Sequence, residues 1–161
     1  MLCAASVLLS CEDNSLEQTS LITVQAEVTT RATSVQDEDA TNSVSPVVFT
    51  GNDISWFDTK TGEIKFTKSF NPYDLAVFQK LNFYLDGKLL FTVNTYVQPI
   101  HSFASNDLVL YLEADGKCYL HDCYPLSIID TDPTVKVNKE KRSESWNKFV
   151  NQLKSEKKIK R

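Results

Sequence analysis

Leu81-Asn82-Phe83-Tyr84-Leu85-Asp86-Gly87-Lys88-Leu89-Leu90-Phe91-Thr92-Val93 reads as two strands around a two-residue turn. Asp-Gly suits the type I′ turn, whose backbone twist matches that of the strands it joins. Counting back from the turn pairs Leu85 with Lys88, Phe83 with Leu90 and Leu81 with Thr92. The opposite face pairs Tyr84 with Leu89 and Asn82 with Phe91. Both faces are largely apolar, which places this hairpin at the centre of a sheet rather than at its edge.

Two similar units lie on either side. Residues 108–114 and 117–123 flank Asp115-Gly116. Leu108, Leu110 and Leu112 share one face there, and Val109 and Tyr111 the other. Tyr124-Pro125 ends this hairpin. Upstream, Ile54-Ser55-Trp56-Phe57 and Glu63-Ile64-Lys65-Phe66 flank a loop that closes on Gly62. Residues 21–28 alternate apolar Ile22, Val24, Ala26 and Val28 with polar positions, the pattern of a half-buried strand.

Helices are expected at two places. Asn71 can cap, Pro72 suits the first helical position and Asp74 favours the positive end of the helix dipole, so a short helix is predicted over 72–80. Residues 139–155 place Trp146, Phe149, Val150 and Leu153 on one stripe, with Glu144 and Lys148 paired on another face. Residues 94–107 contain Pro99 and read as irregular. Residues 130–138 contain Pro133 and read as a connector, and 157–161 as a fraying end. The turn glycines stand 25 and 29 residues apart with unmatched flanks, a meander rather than a repeat array. The expected fold is α+β, an antiparallel β-meander sheet carrying the helices near 72–80 and 139–155; a β-sandwich is the alternative.

Length and composition suit one domain. The chain has 161 residues, 42% hydrophobic and 24% charged, with four Gly and five Pro. A chain of this size can bury roughly 70% of its unfolded surface without a disulfide or metal. The net charge of −4 is unevenly spread. Residues 136–161 hold ten Lys/Arg against three Asp/Glu, and residues 1–135 hold seven against eighteen. Such a basic end can meet nucleic acid or anionic lipid, but an amphipathic helix with a solvated face explains it. No nucleic-acid partner is expected.

No catalytic set emerges. Cys118-Tyr119-Leu120-His121-Asp122-Cys123 contains zinc-ligand types. In a strand, however, Cys118 and Cys123 point to opposite faces and span roughly 17 Å, against either a shared metal or a mutual bond. A disulfide between them needs a sharp bend, and two separate thiols are the simpler outcome. No glycine flanks Ser102 or Ser105 near His101, so no nucleophile elbow forms there. Asp37-Glu38-Asp39 lacks the glycine of a calcium loop, and Glu12-Asp13 sits in a polar stretch. Neither a phosphate loop nor a dinucleotide fingerprint occurs, and no cofactor or metal is expected. Among 17 aromatic residues, Trp56, Tyr73, Tyr96 and Tyr124 are candidates for ligand contact, since rings stack on apolar ligand faces.

The N-terminus carries the most specific signal. Ala4-Ala5-Ser6-Val7-Leu8-Leu9-Ser10 is small or apolar and runs into Cys11, as the end of a secretory signal does. Leu8-Leu9-Ser10-Cys11 resembles a lipobox, which implies cleavage before Cys11, a signal over 1–10 and lipid on the cysteine. No Lys or Arg precedes the apolar run, which puts a basic region upstream of Met1. Residues 11–20 are then a lipidated tether and 21–161 one domain, with a flexible segment at 29–46. Glu12-Asp13 is similar to the acidic signal that sends Bacteroidetes lipoproteins to the outer membrane surface. Asn106 to Tyr111, Tyr119 to Pro125 and Trp146-Asn147-Lys148-Phe149 resemble a group of small Bacteroidetes lipoproteins over about residues 47–160. That likeness implies a cell-envelope location and brings no catalytic residues. Two functions are expected in order: a membrane-anchored, non-enzymatic binding module for a peptide, glycan or protein; then a small hydrolase or a hydrolase inhibitor or immunity protein.

Overall fold

The computed structural model describes residues 20–27, 45–98 and 103–160. Eight strands form one sheet: β1 (Ile22–Ala26), β2 (Val47–Thr50), β3 (Ile54–Phe57), β4 (Glu63–Phe66), β5 (Lys80–Leu85), β6 (Lys88–Val97), β7 (Val109–Leu112) and β8 (Cys118–His121). Their order is β2-β1-β5-β6-β7-β8-β4-β3. The two outermost strands, β2 and β3, are joined by only Gly51–Asp53, a single 3-10 turn that Thr50 caps. Seven strand spacings in a flat sheet would separate them by roughly 34 Å, whereas three residues reach about 10 Å. The sheet therefore has to curl until its two edges meet, and it is nearly a barrel.

The fold is α+β as expected, but the sheet is not a meander. The three glycine-turn hairpins all form, as β3–β4, β5–β6 and β7–β8. They are not joined in chain order. β6 and β7 run parallel, from Asn94 opposite Val109 to Val97 opposite Leu112. β4 pairs with β8 and β1 with β5. One continuous curved sheet also rules out the sandwich. Residues 94–97, read as irregular, are the extension of β6 that makes the parallel pairing.

The central hairpin keeps its turn but shifts its register. Asp86 and Gly87 both take positive φ, 49° and 71°, and Leu85 pairs with Lys88 and Tyr84 with Leu89. A bulge follows, after which Phe83 faces Phe91, Asn82 faces Thr92 and Leu81 faces Val93. An unbroken register would have put Leu90 and Thr92 opposite the core-facing Phe83 and Leu81. The extra residue turns Phe91 and Val93 inward instead. Thr92 then lies outside, where its hydroxyl donates to Asn82 Oδ1 at 2.6 Å.

Beyond the sheet, Asn71 caps a 3-10 helix over Pro72–Val77, shorter and tighter than the helix predicted to residue 80. The connector around Pro133 is a helix, α1 (Pro133–Lys141). Pro133 occupies its first turn, where a missing N–H costs nothing, and Asp132 caps it by accepting from the Thr134 N–H at 2.8 Å. The last helix, α2 (Ser143–Ser155), is shorter than predicted at its start. Its Phe149 and Leu153 are buried, with Trp146 and Val150 packed beside them. Phe149 meets Phe57, Phe83 and Phe91 edge-on at 5.6–5.8 Å between centroids. The helix thus fills the barrel interior with aromatic contacts.

The C-terminus does not fray over 157–160. Lys158 O accepts from the Phe57 N–H at 2.7 Å, and the Lys160 N–H donates to Phe57 O at 2.9 Å, so Ile159 adds a parallel bridge to β3. Lys158 Nζ donates to Gly51 O at 2.6 Å, and the Ser20 hydroxyl donates to Glu156 Oε1 at 2.6 Å. The tail thus covers the seam where the two sheet edges approach.

Candidate ligand-binding surface

The outer face of β6, β7 and β8 carries a row of tyrosines. Val97, Leu110, Leu112, Cys118 and Leu120 point into the core, so alternation sends Tyr96, Tyr111, Tyr119 and His121 outward. Pairing sets Tyr96 opposite Tyr111 and Tyr111 opposite Tyr119. Tyr124, just past β8, folds over them with its ring centroid 4.0 Å from Tyr96 and 5.4 Å from Tyr111. His121 stacks on Tyr119 at 5.3 Å with planes 8° apart, and Phe103 flanks Tyr96 at 5.4 Å. Tyr96 is buried, while Tyr111, Tyr119, His121 and Tyr124 are half-buried with ring surface open to solvent.

Electrostatics follow from this crowding. A hydrogen bond with Tyr124, together with burial and the neighbouring phenols, pushes the Tyr96 phenol up to about 12. Burial raises the Tyr111 and Tyr119 phenols as well, helped by Tyr124 and Glu113 beside the first and Glu113 beside the second. The Tyr111 hydroxyl donates to Gln98 Oε1 at 3.0 Å. The Tyr96, Tyr111 and Tyr119 phenols therefore stay neutral at physiological pH.

Of the four candidates named from sequence, the fold brings together two, Tyr96 and Tyr124. Trp56 stands apart beneath Lys160, whose ammonium lies 4.3 Å from its ring centroid. Tyr73 is exposed, and its hydroxyl donates to Ala114 O at 2.7 Å on the β7–β8 turn. Sequence reading did not name Tyr111 or Tyr119 for ligand contact, and weighed His121 only with the zinc-ligand types of residues 118–123. Counting from Asp115-Gly116 as a two-residue turn pairs Tyr111 with Leu120. The turn instead holds three residues, 114–116, with the Glu113 N–H donating to Lys117 O at 2.8 Å, and that shift sets Tyr111 opposite Tyr119. Tyr96 joins them only through the parallel pairing.

Beside the row lies a cleft of about 490 Å3 between the β3–β4 turn, the end of β8 and the α1–α2 junction. His121, Asp122, Lys60, Lys139, Arg142 and Trp146 line it. Arg142 donates to Asp107 Oδ1 at 2.6 Å and also to Asp122, and Lys139 donates to Asp122 Oδ2 at 2.7 Å. Burial opposes ionisation of Asp122, but these two cations hold its carboxyl below the usual range. Burial pushes the His121 imidazole down, against the pull of Asp122. Among the described residues His121 makes no hydrogen bond to a serine, cysteine or carboxylate.

Cys118 and Cys123 are separate free thiols, both buried. Burial raises both above the usual thiol range, which suppresses the reactive thiolate. Among the described residues no three His, Cys, Asp or Glu side chains converge as a metal site would require. Cys11, Glu12-Asp13, Asp37-Glu38-Asp39, Ser102 and His101 lie outside the described residues, as does nearly all of the 11–20 tether and the 29–46 segment.

Comparison with protein-family models, curated proteins and solved structures finds no match. Among the described residues no helix is long and apolar enough to cross a membrane.

Proposed function

We propose that this chain is a cell-envelope lipoprotein, anchored through Cys11, whose domain binds a ligand on its tyrosine face without catalysing a reaction. The observation that carries the binding reading is the outward row of Tyr96, Tyr111 and Tyr119, extended by Tyr124 and His121. Tyr96 is buried beneath the row, while the half-exposed rings of Tyr111, Tyr119, Tyr124 and His121 offer stacking area at little entropic cost, since each ring has two side-chain torsions. The lipid anchor is supported by Leu8-Leu9-Ser10-Cys11 and by the polar stretch that follows. Two or more acyl chains hold a protein to a membrane durably, where one alone does not. A hydrolase finds less support, because among the described residues His121 has no hydrogen-bonded orienting partner or nucleophile of the kind acid–base chemistry requires.

The test is a screen of immobilised saccharides and peptides against the full-length chain and the double variant Tyr111→Ala/Tyr119→Ala. Truncating two central rings is expected to weaken the retained ligand by at least about tenfold, or 1.4 kcal/mol. A ligand held equally by both proteins would exclude this face as its site.

A further inference from the structure

The cleft and the tyrosine row share His121, which stacks on Tyr119 and also lines the cleft. A ligand lying on the row at its β8 end therefore reaches the cleft. The charge inside is unbalanced. Lys60, Lys139 and Arg142 line it against one carboxylate, Asp122. Asp107 offsets Arg142 from behind. One positive charge is then left over, carried by Lys60, which makes no ion pair among the described residues. Lys139 keeps most of its side chain in solvent while touching Asp122. Arg142 is held nearly buried by its two carboxylates, which fixes one cation in the cleft wall, with Lys60 and Lys139 reaching out beside it.

The geometry points to an acidic saccharide as the ligand, its sugar ring on Tyr119 and His121 and its uronate carboxylate in the cleft beside Lys60 and Lys139. This rests on the tyrosine face being a binding surface. A saccharide fits better than a peptide for two reasons. The Tyr119 and His121 rings form an offset parallel stack, 5.3 Å between centroids and 8° from parallel, whose outer ring face suits the C–H face of a sugar. β7 and β8 each have a strand on both sides, so their backbone groups are not open for an extended peptide to add a strand.

Calorimetric titration of the full-length chain with trigalacturonate and with its fully methyl-esterified form tests this, because the two differ in charge and share the sugar rings. The acid is expected to bind about tenfold more tightly. Lys60→Gln/Lys139→Gln should remove that difference. In a Trp56→Phe background the acid should shift the emission of Trp146, which lines the cleft. Equal affinity for acid and ester, unchanged by the lysine variants, would overturn the anion assignment and leave the tyrosine-face reading standing. Oligoglutamate binding as tightly as trigalacturonate would overturn the saccharide assignment in favour of an acidic peptide. If neither saccharide binds, and Tyr111→Ala/Tyr119→Ala alters the retention of no ligand in the immobilised screen, the binding reading itself falls.

Discussion

The rings of Tyr96 and Tyr124 lie 4.0 Å apart between centroids with planes 31° from parallel, although Tyr96 lies in β6, Tyr124 lies past the end of β8 and the two are 28 positions apart. The contact ties the segment after β8 to the outer face of β6. Ser105 and Tyr124 reinforce it with paired backbone hydrogen bonds of 2.7 and 2.8 Å. The tyrosine face is thus held at one end by a ring contact and a bridge.

This contact makes a prediction about alkaline pH. The Tyr96 phenol, raised from 10 to about 12, is favoured in its neutral form by the fold. Its contribution to stability is complete below the unfolded value near 10 and is lost as pH rises through about 12. In a titration followed by tyrosinate absorbance, Tyr96 is expected to ionise late. Tyr96→Phe should remove that late step, and the native protein should lose stability between pH 10 and 12 more steeply than the variant. Phenols that all ionise near 10 in the folded protein would contradict the contact.

The C-terminal tail makes a second. Two backbone hydrogen bonds join it to Phe57, Lys160 lies over Trp56, and Lys160 Nζ is 3.5 Å from Asp58 and 3.6 Å from Glu63. Deleting residues 157–161 exposes the β3 edge and the Trp56 ring. Two net hydrogen bonds, part of an isoleucine side chain and one cation–π contact together are worth about 3 kcal/mol. Lys160→Ala alone should cost no more than about 1 kcal/mol, since its ion pairs are solvent-screened. Urea denaturation measures both; a tail deletion with unchanged midpoint would mean that 157–160 contributes nothing to closing the barrel.

Arg142 supplies a third. It stands at the break between α1 and α2 and binds Asp107 before β7 and Asp122 after β8. Arg142→Met leaves the half-buried Asp122 with only Lys139 and is expected to cost about 2–3 kcal/mol, below the full value for a wholly buried pair. The depressed carboxyl of Asp122 stabilises the fold above its ordinary value near 3.8, and that contribution is lost as pH falls through the depressed one. Stability measured from pH 6 down to 2 should therefore fall less steeply in Asp122→Asn than in the native chain. Parallel curves would place the acid sensitivity elsewhere.

Local structure was the legible part of this fold. Each Gly turn announced its hairpin, and Ile22, Val24 and Ala26 announced a buried strand face that β1 presents to the core. The stripe of Trp146, Phe149, Val150 and Leu153 announced α2. What depended on distant pairing was not legible. Nothing local marks Asn94–Val97 as a strand, because its partner β7 lies beyond a crossover and runs parallel. The bulge between Phe83 and Tyr84 is visible only once the inward positions of Phe91 and Val93 are known. Pro133 reads equally as a breaker or as the first residue of a helix, and Asp132 before it decides the matter. The proposed binding surface was half legible: Tyr96 and Tyr124 stood among the candidates, but their meeting is a long-range contact, and the Tyr111–Tyr119 pairing depends on a three-residue turn that Asp115-Gly116 does not announce.

The proposed envelope location rests on Cys11. Metabolic labelling with palmitate addresses it directly, comparing the native chain with Cys11→Ala in a bacterium that processes lipoproteins. The native protein should take up label and sediment with membranes, and Cys11→Ala should do neither. Equal labelling of the two, or an unlabelled native protein found in the soluble fraction, would contradict the account.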